Sequence, residues 1–155
     1  MNYEDKSNST GSVSQRKKEL WWELLELEKK YGQKIDSPES AAISLAKYRK
    51  KKKEHFLCIL LDGQHCVIKT IVVSVGIANR TLVHPREVFQ PAIKAGAVSI
   101  VLGHNHPSGN TEPSSDDETV NQRLIQAGEI LGISVLDHVI IAEGGFYSFL
   151  EHKKM

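Results

Sequence analysis

Apolar positions in this chain follow two rhythms, a three-to-four spacing and short near-continuous runs, and together they mark out its elements. Leu20, Leu24, Leu27 and Tyr31 share one helical face, which predicts an amphipathic helix over residues 15–31 that Gly32 ends. Trp21 and Trp22 widen that face, either to dock it on the core or to present it to a partner. Ser37-Pro38-Glu39 combines a helix cap with a first-turn proline and starts a second helix to about Tyr48. Residues 56–61 are apolar throughout, Asp62-Gly63 is a hairpin-type turn, and residues 65–75 resume with Val and Ile, so two antiparallel strands are expected.

Pro85 suits the first position of another helix, over residues 86–94, which Ala95-Gly96 ends before a buried-strand run at 97–102. That strand leads straight into His104. Two prolines, a glycine and an asparagine make 107–113 a loop. Ser114 then caps a helix with an acidic first turn (Asp116, Asp117, Glu118) that complements its dipole, and Gly132 stops it after about Leu131. Two further strands, 135–142 and 146–149, join across Glu143-Gly144-Gly145. The expected fold is α/β (α+β), a mixed sheet flanked by helices.

Composition narrows the setting. At 155 residues and 40% hydrophobic content, one domain can build a core without metal or disulfide support. The first 14 residues are polar and lack the apolar content to repay ordering, which reads as a mobile tail. No apolar segment sits behind a basic start, and no run approaches the roughly 20 residues of a membrane span, so a cytoplasmic protein without membrane attachment is expected. Cys58 and Cys66 sit in apolar stretches at a spacing that matches neither a redox pair nor a zinc pair, and read as buried free thiols. The net charge of +1 carries no global bias toward nucleic acid. Locally, Lys47-Tyr48-Arg49-Lys50-Lys51-Lys52-Lys53 is either a solvated helix end or a phosphate-binding stripe for DNA or RNA.

The candidate chemistry lies where the buried strand ends. His104 and His106 are two apart, so the strand period sends both imidazoles to one side. Asp117, from the first turn of the next helix, offers a third ligand across the loop. Two imidazoles and a carboxylate suit zinc and leave a fourth position for water, whose pKa falls to roughly 7 on a catalytic zinc.

The wider string is His104-Asn105-His106-Pro107-Ser108-Gly109-Asn110, then Ser114 and Asp117. It resembles the JAMM (MPN-plus) metalloprotease motif, and its His-Asn-His-Pro-Ser-Gly wording is similar to the RadC-type bacterial branch. Val75-Gly76, Leu82-Val83-His84-Pro85-Arg86-Glu87-Val88-Phe89, Leu136-Asp137-His138 and Tyr147-Ser148 extend the likeness over about residues 37–150. The resemblance implies a JAMM and deaminase-like fold over 54–155, preceded by a helical extension at 15–53. It also implies one zinc per chain on His104, His106 and Asp117, with a peptide or protein as substrate. Ser114 would hydrogen-bond the water or the oxyanion, beside its plain reading as a helix cap.

Such enzymes also need a glutamate before an early strand as general base. Glu54 fits that place, and Glu87, at the start of a helix, is its rival. His138 reads as support for the site or, more simply, as a hydrogen-bonded core histidine; His55, His65, His84 and His152 read as structural or surface residues. The branch also carries an N-terminal helix-hairpin-helix region that the residues before Glu54 do not match. The contiguous string does not fit the dispersed motif of His-Asn-His nucleases, and the His-x-Glu and Pro-Cys-x-x-Cys of zinc deaminases are missing. The other reading is a non-catalytic, zinc-containing accessory protein associated with DNA repair.

Overall fold

A computed structural model describes residues 32–76 and 83–155, together with Val13, Gln15 and Arg16. Those three apart, the expected tail at 1–14 and the helix at 15–31 with Trp21 and Trp22 fall outside the described residues, as does Leu82. The chain divides into two compact units, Met1–Gln33 and Lys34–Met155, and the second carries the sheet.

In chain order the second unit runs through α1 (Pro38–Leu45), a short 3-10 turn (Ala46–Tyr48), β1 (Glu54–Leu61), β2 (Val67–Gly76), α2 (Pro85–Lys94), β3 (Ser99–Asn105), α3 (Ser115–Leu131), β4 (Ser134–Ala142) and β5 (Gly145–Ser148). One five-stranded sheet has the order β2-β1-β3-β4-β5. Only β3 and β4 are parallel, which makes the sheet mixed and the fold α+β, as the apolar rhythm implied. The helix over 38–45, expected within an N-terminal extension, lies in the same compact unit as the sheet.

Residues 56–61 and 99–105 are buried without alternation because helices cover both faces of the central strands. On one face Phe56, Cys58, Leu60, Ile100 and Leu102 pack against Val88, Phe89 and Ala92 of α2 and Val120 and Leu124 of α3. On the other, Leu57, Ile59, Leu61, Val101, Val139 and Ile141 pack against Ala41 and Leu45 of α1. Asp137 anchors the C-terminal turn from within, its carboxylate accepting from the His138 and Leu150 N–H groups and the Ser148 hydroxyl.

Several local expectations shift. β3 starts two residues later than its apolar run and continues through Asn105, so His104 lies inside the ladder. The hairpin between β1 and β2 is longer than a two-residue turn: the Asp62 carboxylate accepts from the N–H groups of Gln64 and Cys66, and His65, not Gly63, takes the left-handed conformation (φ 63°). Cys58 is buried, and burial pushes its thiol pKa up. Cys66 is only half-buried, because it sits at the hairpin mouth bridging to Lys34. No helix among the described residues is long and apolar enough to cross a membrane.

Two glycines separate cleanly in what they do. A methyl group on Gly128, in α3, would run into the Ile133 carbonyl and stand 3.3 Å from both Phe89 and Val135, whereas one on Gly63 meets open space. Gly128→Ala is expected to lower stability by about 1–3 kcal/mol and Gly63→Ala to stay within roughly 0.5 kcal/mol of the parent, as read from denaturant midpoints.

Candidate metal centre

β3 is the middle strand, and its C-terminal end delivers the first imidazole. His104 pairs with Phe56 of β1 on one side and Ile140 of β4 on the other, and its ring is buried on the helix-α2/α3 face. His106 follows past the strand end, its backbone N–H held by the Ile141 carbonyl at 2.9 Å. Asp117 reaches the same point from the first turn of α3, where Ser114 is the N-cap. The Nε2 atoms of His104 and His106 are 3.0 Å apart, Asp117 Oδ1 stands 3.1 Å from His104 Nε2, and Asp117 Oδ2 stands 3.5 Å from His106 Nε2.

The polarity of the surrounding hydrogen bonds dictates what these atoms carry. A backbone carbonyl only accepts, so the 2.7 Å contact of His106 Nδ1 with the Asn110 carbonyl requires the proton on Nδ1. A second chain is fixed in the same way. Asn121 Nδ2 donates to the Lys154 carbonyl at 3.1 Å, which turns its Oδ1 toward His138 Nδ1 at 3.2 Å. His138 therefore donates from Nδ1, and its Nε2 accepts from His104 Nδ1 at 2.8 Å. Both Nε2 atoms face the Asp117 carboxylate across a gap that a proton or a metal ion can occupy.

A metal ion fits that gap. Tetrahedral ligands roughly 2.0–2.1 Å from zinc stand about 3.3 Å from one another, and the His104–His106 and His104–Asp117 Oδ1 separations of 3.0 and 3.1 Å come near that value. Glu54, His104, His106 and Asp117 together form a group whose ligand atoms all lie within 4.8 Å of one another and that could hold a metal ion. Glu54, half-buried at the start of β1, comes in because β1 pairs antiparallel with β3 and so begins where β3 ends. The group opens to solvent through a cleft whose walls include Glu54, His106, Asn110 and Ser114.

Burial by itself would raise the Asp117 carboxyl; hydrogen bonds from the His104 and His106 rings, the His104 charge and the Ser114 backbone N–H outweigh it and hold the group well below the usual carboxylate range. Ser114 is tied to the same carboxylate. Its N–H and its hydroxyl both donate to Asp117 Oδ2, at 2.8 and 2.9 Å, and its Oγ accepts from the Asp117 N–H at 3.1 Å. Phe56 stacks on the His104 ring and Phe149 on His138, walling the pair with hydrocarbon.

The expected residues separate clearly. His104, His106, Asp117 and Glu54 converge, and Ser114 touches them through Asp117. Glu87 does not join them: it is exposed, and its carboxylate accepts from the His84 N–H at 3.4 Å in a capping box. His138 is both a buried core residue and the partner of His104. His55 bonds the Lys53 carbonyl, and His152 stacks on Tyr147. Asn121 was not singled out from the sequence, although its place four residues after Asp117 puts it on the same helix face.

Residues 35–155 match the family model of the RadC-like JAB domain. A UPF0758 protein of Trichlorobacter lovleyi is 50% identical over 103 residues, 66% of this chain and 45% of that protein. One from Rubrobacter xylanophilus is 54% identical over 100 residues, covering 64% and 44% respectively. One from Methanococcoides burtonii is 48% identical over 105 residues, covering 68% and 46%. The chain spans about half the length of the curated relatives it matches.

His138→Ala and Asn121→Ala each free the His104 ring to rotate. Both are expected to weaken metal affinity by roughly 10- to 100-fold in a chelator competition, with the fold kept as judged by circular dichroism.

Proposed function

The chain belongs to the RadC-like JAB domain family, and from that premise we propose that it is a zinc-dependent metallohydrolase, a peptidase or isopeptidase that hydrolyses an amide bond of a peptide or protein substrate in the cytoplasm. The observation that carries this reading is the convergence of the Glu54 carboxylate with ligand atoms of His104, His106 and Asp117, all within 4.8 Å of one another. His104 Nε2, His106 Nε2 and Asp117 would hold the metal. A zinc ion bound there supplies a water of lowered pKa and polarises the scissile carbonyl.

The protein's own groups do the rest. Glu54 takes the proton from the attacking water as the oxygen–carbon bond forms, and returns it to the amide nitrogen as the carbon–nitrogen bond breaks. Ser114 spends its hydroxyl proton on Asp117, so it serves first to orient that carboxylate. For it to steady the oxyanion as well, the hydroxyl must turn from Asp117 toward the substrate. Glu54→Gln is expected to keep about one zinc per chain and to lose roughly 10²- to 10⁴-fold in kcat on a cleavable peptide or isopeptide, measured by mass spectrometry of the products. Metal-free wild-type protein, or full activity without Glu54, would sink the proposal.

A second reading draws on one specific observation. Lys47, Arg49, Lys50, Lys51, Lys52 and Lys53 are all exposed on the segment that runs into Glu54. On that reading the chain is a non-catalytic, metal-containing accessory protein that binds nucleic-acid phosphates. Six such contacts would make log Kd change with log salt with a slope of roughly 5 in magnitude; a flat response in a DNA titration removes this reading.

A further inference from the structure

Asn105 stands between the two histidines of the metal group, and the chemistry above does not use it. It is completely buried, and every hydrogen bond of its side chain reaches back some fifty positions to one short segment. Oδ1 accepts from the His55 N–H at 2.7 Å, while Nδ2 donates to the carbonyls of Lys51 at 3.2 Å and Lys53 at 3.1 Å. Because both carbonyls can only accept, the orientation of this amide is unambiguous.

The ladder explains why a side chain is needed. β1 and β3 pair from Leu61 opposite Ser99 up to Phe56 opposite His104, and there the pairing ends. The next rung would join His55 to Asn105, but past this point β3 turns to β4, with the His106 N–H going to Ile141. The Asn105 carboxamide fills the open rung. Of the segment it holds, Lys51, Lys52 and Lys53 are exposed, carry like charges and enter none of the core clusters, while Glu54 and His55 are paired on their other side with Gly76 and Val75 of β2. Glu54 lies between the two clamped residues, Lys53 and His55.

We propose that Asn105 is a positioning residue that clips the chain on both sides of Glu54 to the end of β3, and so sets the placement of the Glu54 carboxylate against the donors of the same strand. This rests on the reading of Glu54 as general base. The clip is directed at the base, because the Asn105 side chain hydrogen-bonds the Lys51–His55 segment and not the His104, His106 or Asp117 side chains.

The test uses the full chain loaded with zinc. Asn105→Ala removes the clip, and Asn105→Ser, smaller but polar, carries the test should the alanine variant fail to fold. Three results are expected. Amide hydrogen exchange over residues 51–55 rises roughly fivefold or more, while zinc affinity stays within about twofold of the parent, a bound set by the unchanged ligands. On a cleavable peptide, kcat falls on the order of 10²-fold with KM little changed. In a Glu54→Gln background the same Asn105 substitution costs nothing further, since the base it positions is gone. Unchanged exchange over 51–55, or an equal additional loss in the Glu54→Gln background, overturns the proposal. A wild-type chain that binds zinc but cleaves nothing overturns the hydrolase reading instead, and the exchange measurement then decides the clip by itself.

Discussion

A carbonyl oxygen can accept a hydrogen bond and never donate one, and two such oxygens, of Asn110 and Lys154, orient the rings of the whole centre. From Lys154 the direction passes through Asn121 and His138 to His104; from Asn110 it passes directly to His106. Both chains end at an Nε2 atom that faces the other and a carboxylate. A proton or a metal ion among these atoms offsets their mutual repulsion, and together with Glu54 they form a group that could hold a metal ion. Each end of this network is local backbone in a loop or near the chain's last residues, which makes apparently peripheral segments part of the centre.

Topology brings the remaining group into place. A strand in the middle of a sheet is paired on both sides, and where it ends its neighbours are within reach. β3 runs parallel to β4 and antiparallel to β1, so His104 lies opposite Ile140 of β4 and Phe56 of β1, two residues from the start of β1. That is how Glu54 arrives from fifty positions away and His138 from thirty-four. The loop after β3 then carries the chain to the start of α3, whose exposed N–H groups already favour a carboxylate.

Most of this architecture was legible in the sequence because it follows from local rules. Helix starts at Ser37 and Ser114 carry their caps in the letters, and the continuous apolar runs of β1 and β3 reflect burial on both faces. The sequence did not tell which of Glu54 and Glu87 lies near the histidines, since each is a charge at the start of an element; register brings Glu54 there, by placing Phe56 opposite His104, and leaves Glu87 capping α2. The hairpin misled for a related reason. Asp62-Gly63 has the letters of a tight turn, but the Asp62 carboxylate takes two N–H groups further on and moves the left-handed residue to His65. The bonds of Asn105 and Asn121 stayed hidden, and the two readings of His138 stayed open, because their partners are backbone carbonyls and rings brought up by tertiary pairing, which no spacing encodes.

Asp117 divides its two oxygens between stability and chemistry. Oδ2 accepts from the Ser114 N–H and hydroxyl and closes the capping box of α3, while Oδ1 faces His104. The cap is therefore what aims the ligand: a carboxylate held at one oxygen by two donors cannot rotate, and its other oxygen points to a fixed place. This arrangement also explains why a buried, ionised carboxylate is tolerated, since every interaction it makes favours the charged form against the cost of burial. A serine at the cap thus contributes to the metal group without touching the metal position. The acidic first turn that the sequence offers as ordinary helix chemistry is the same feature that completes the centre.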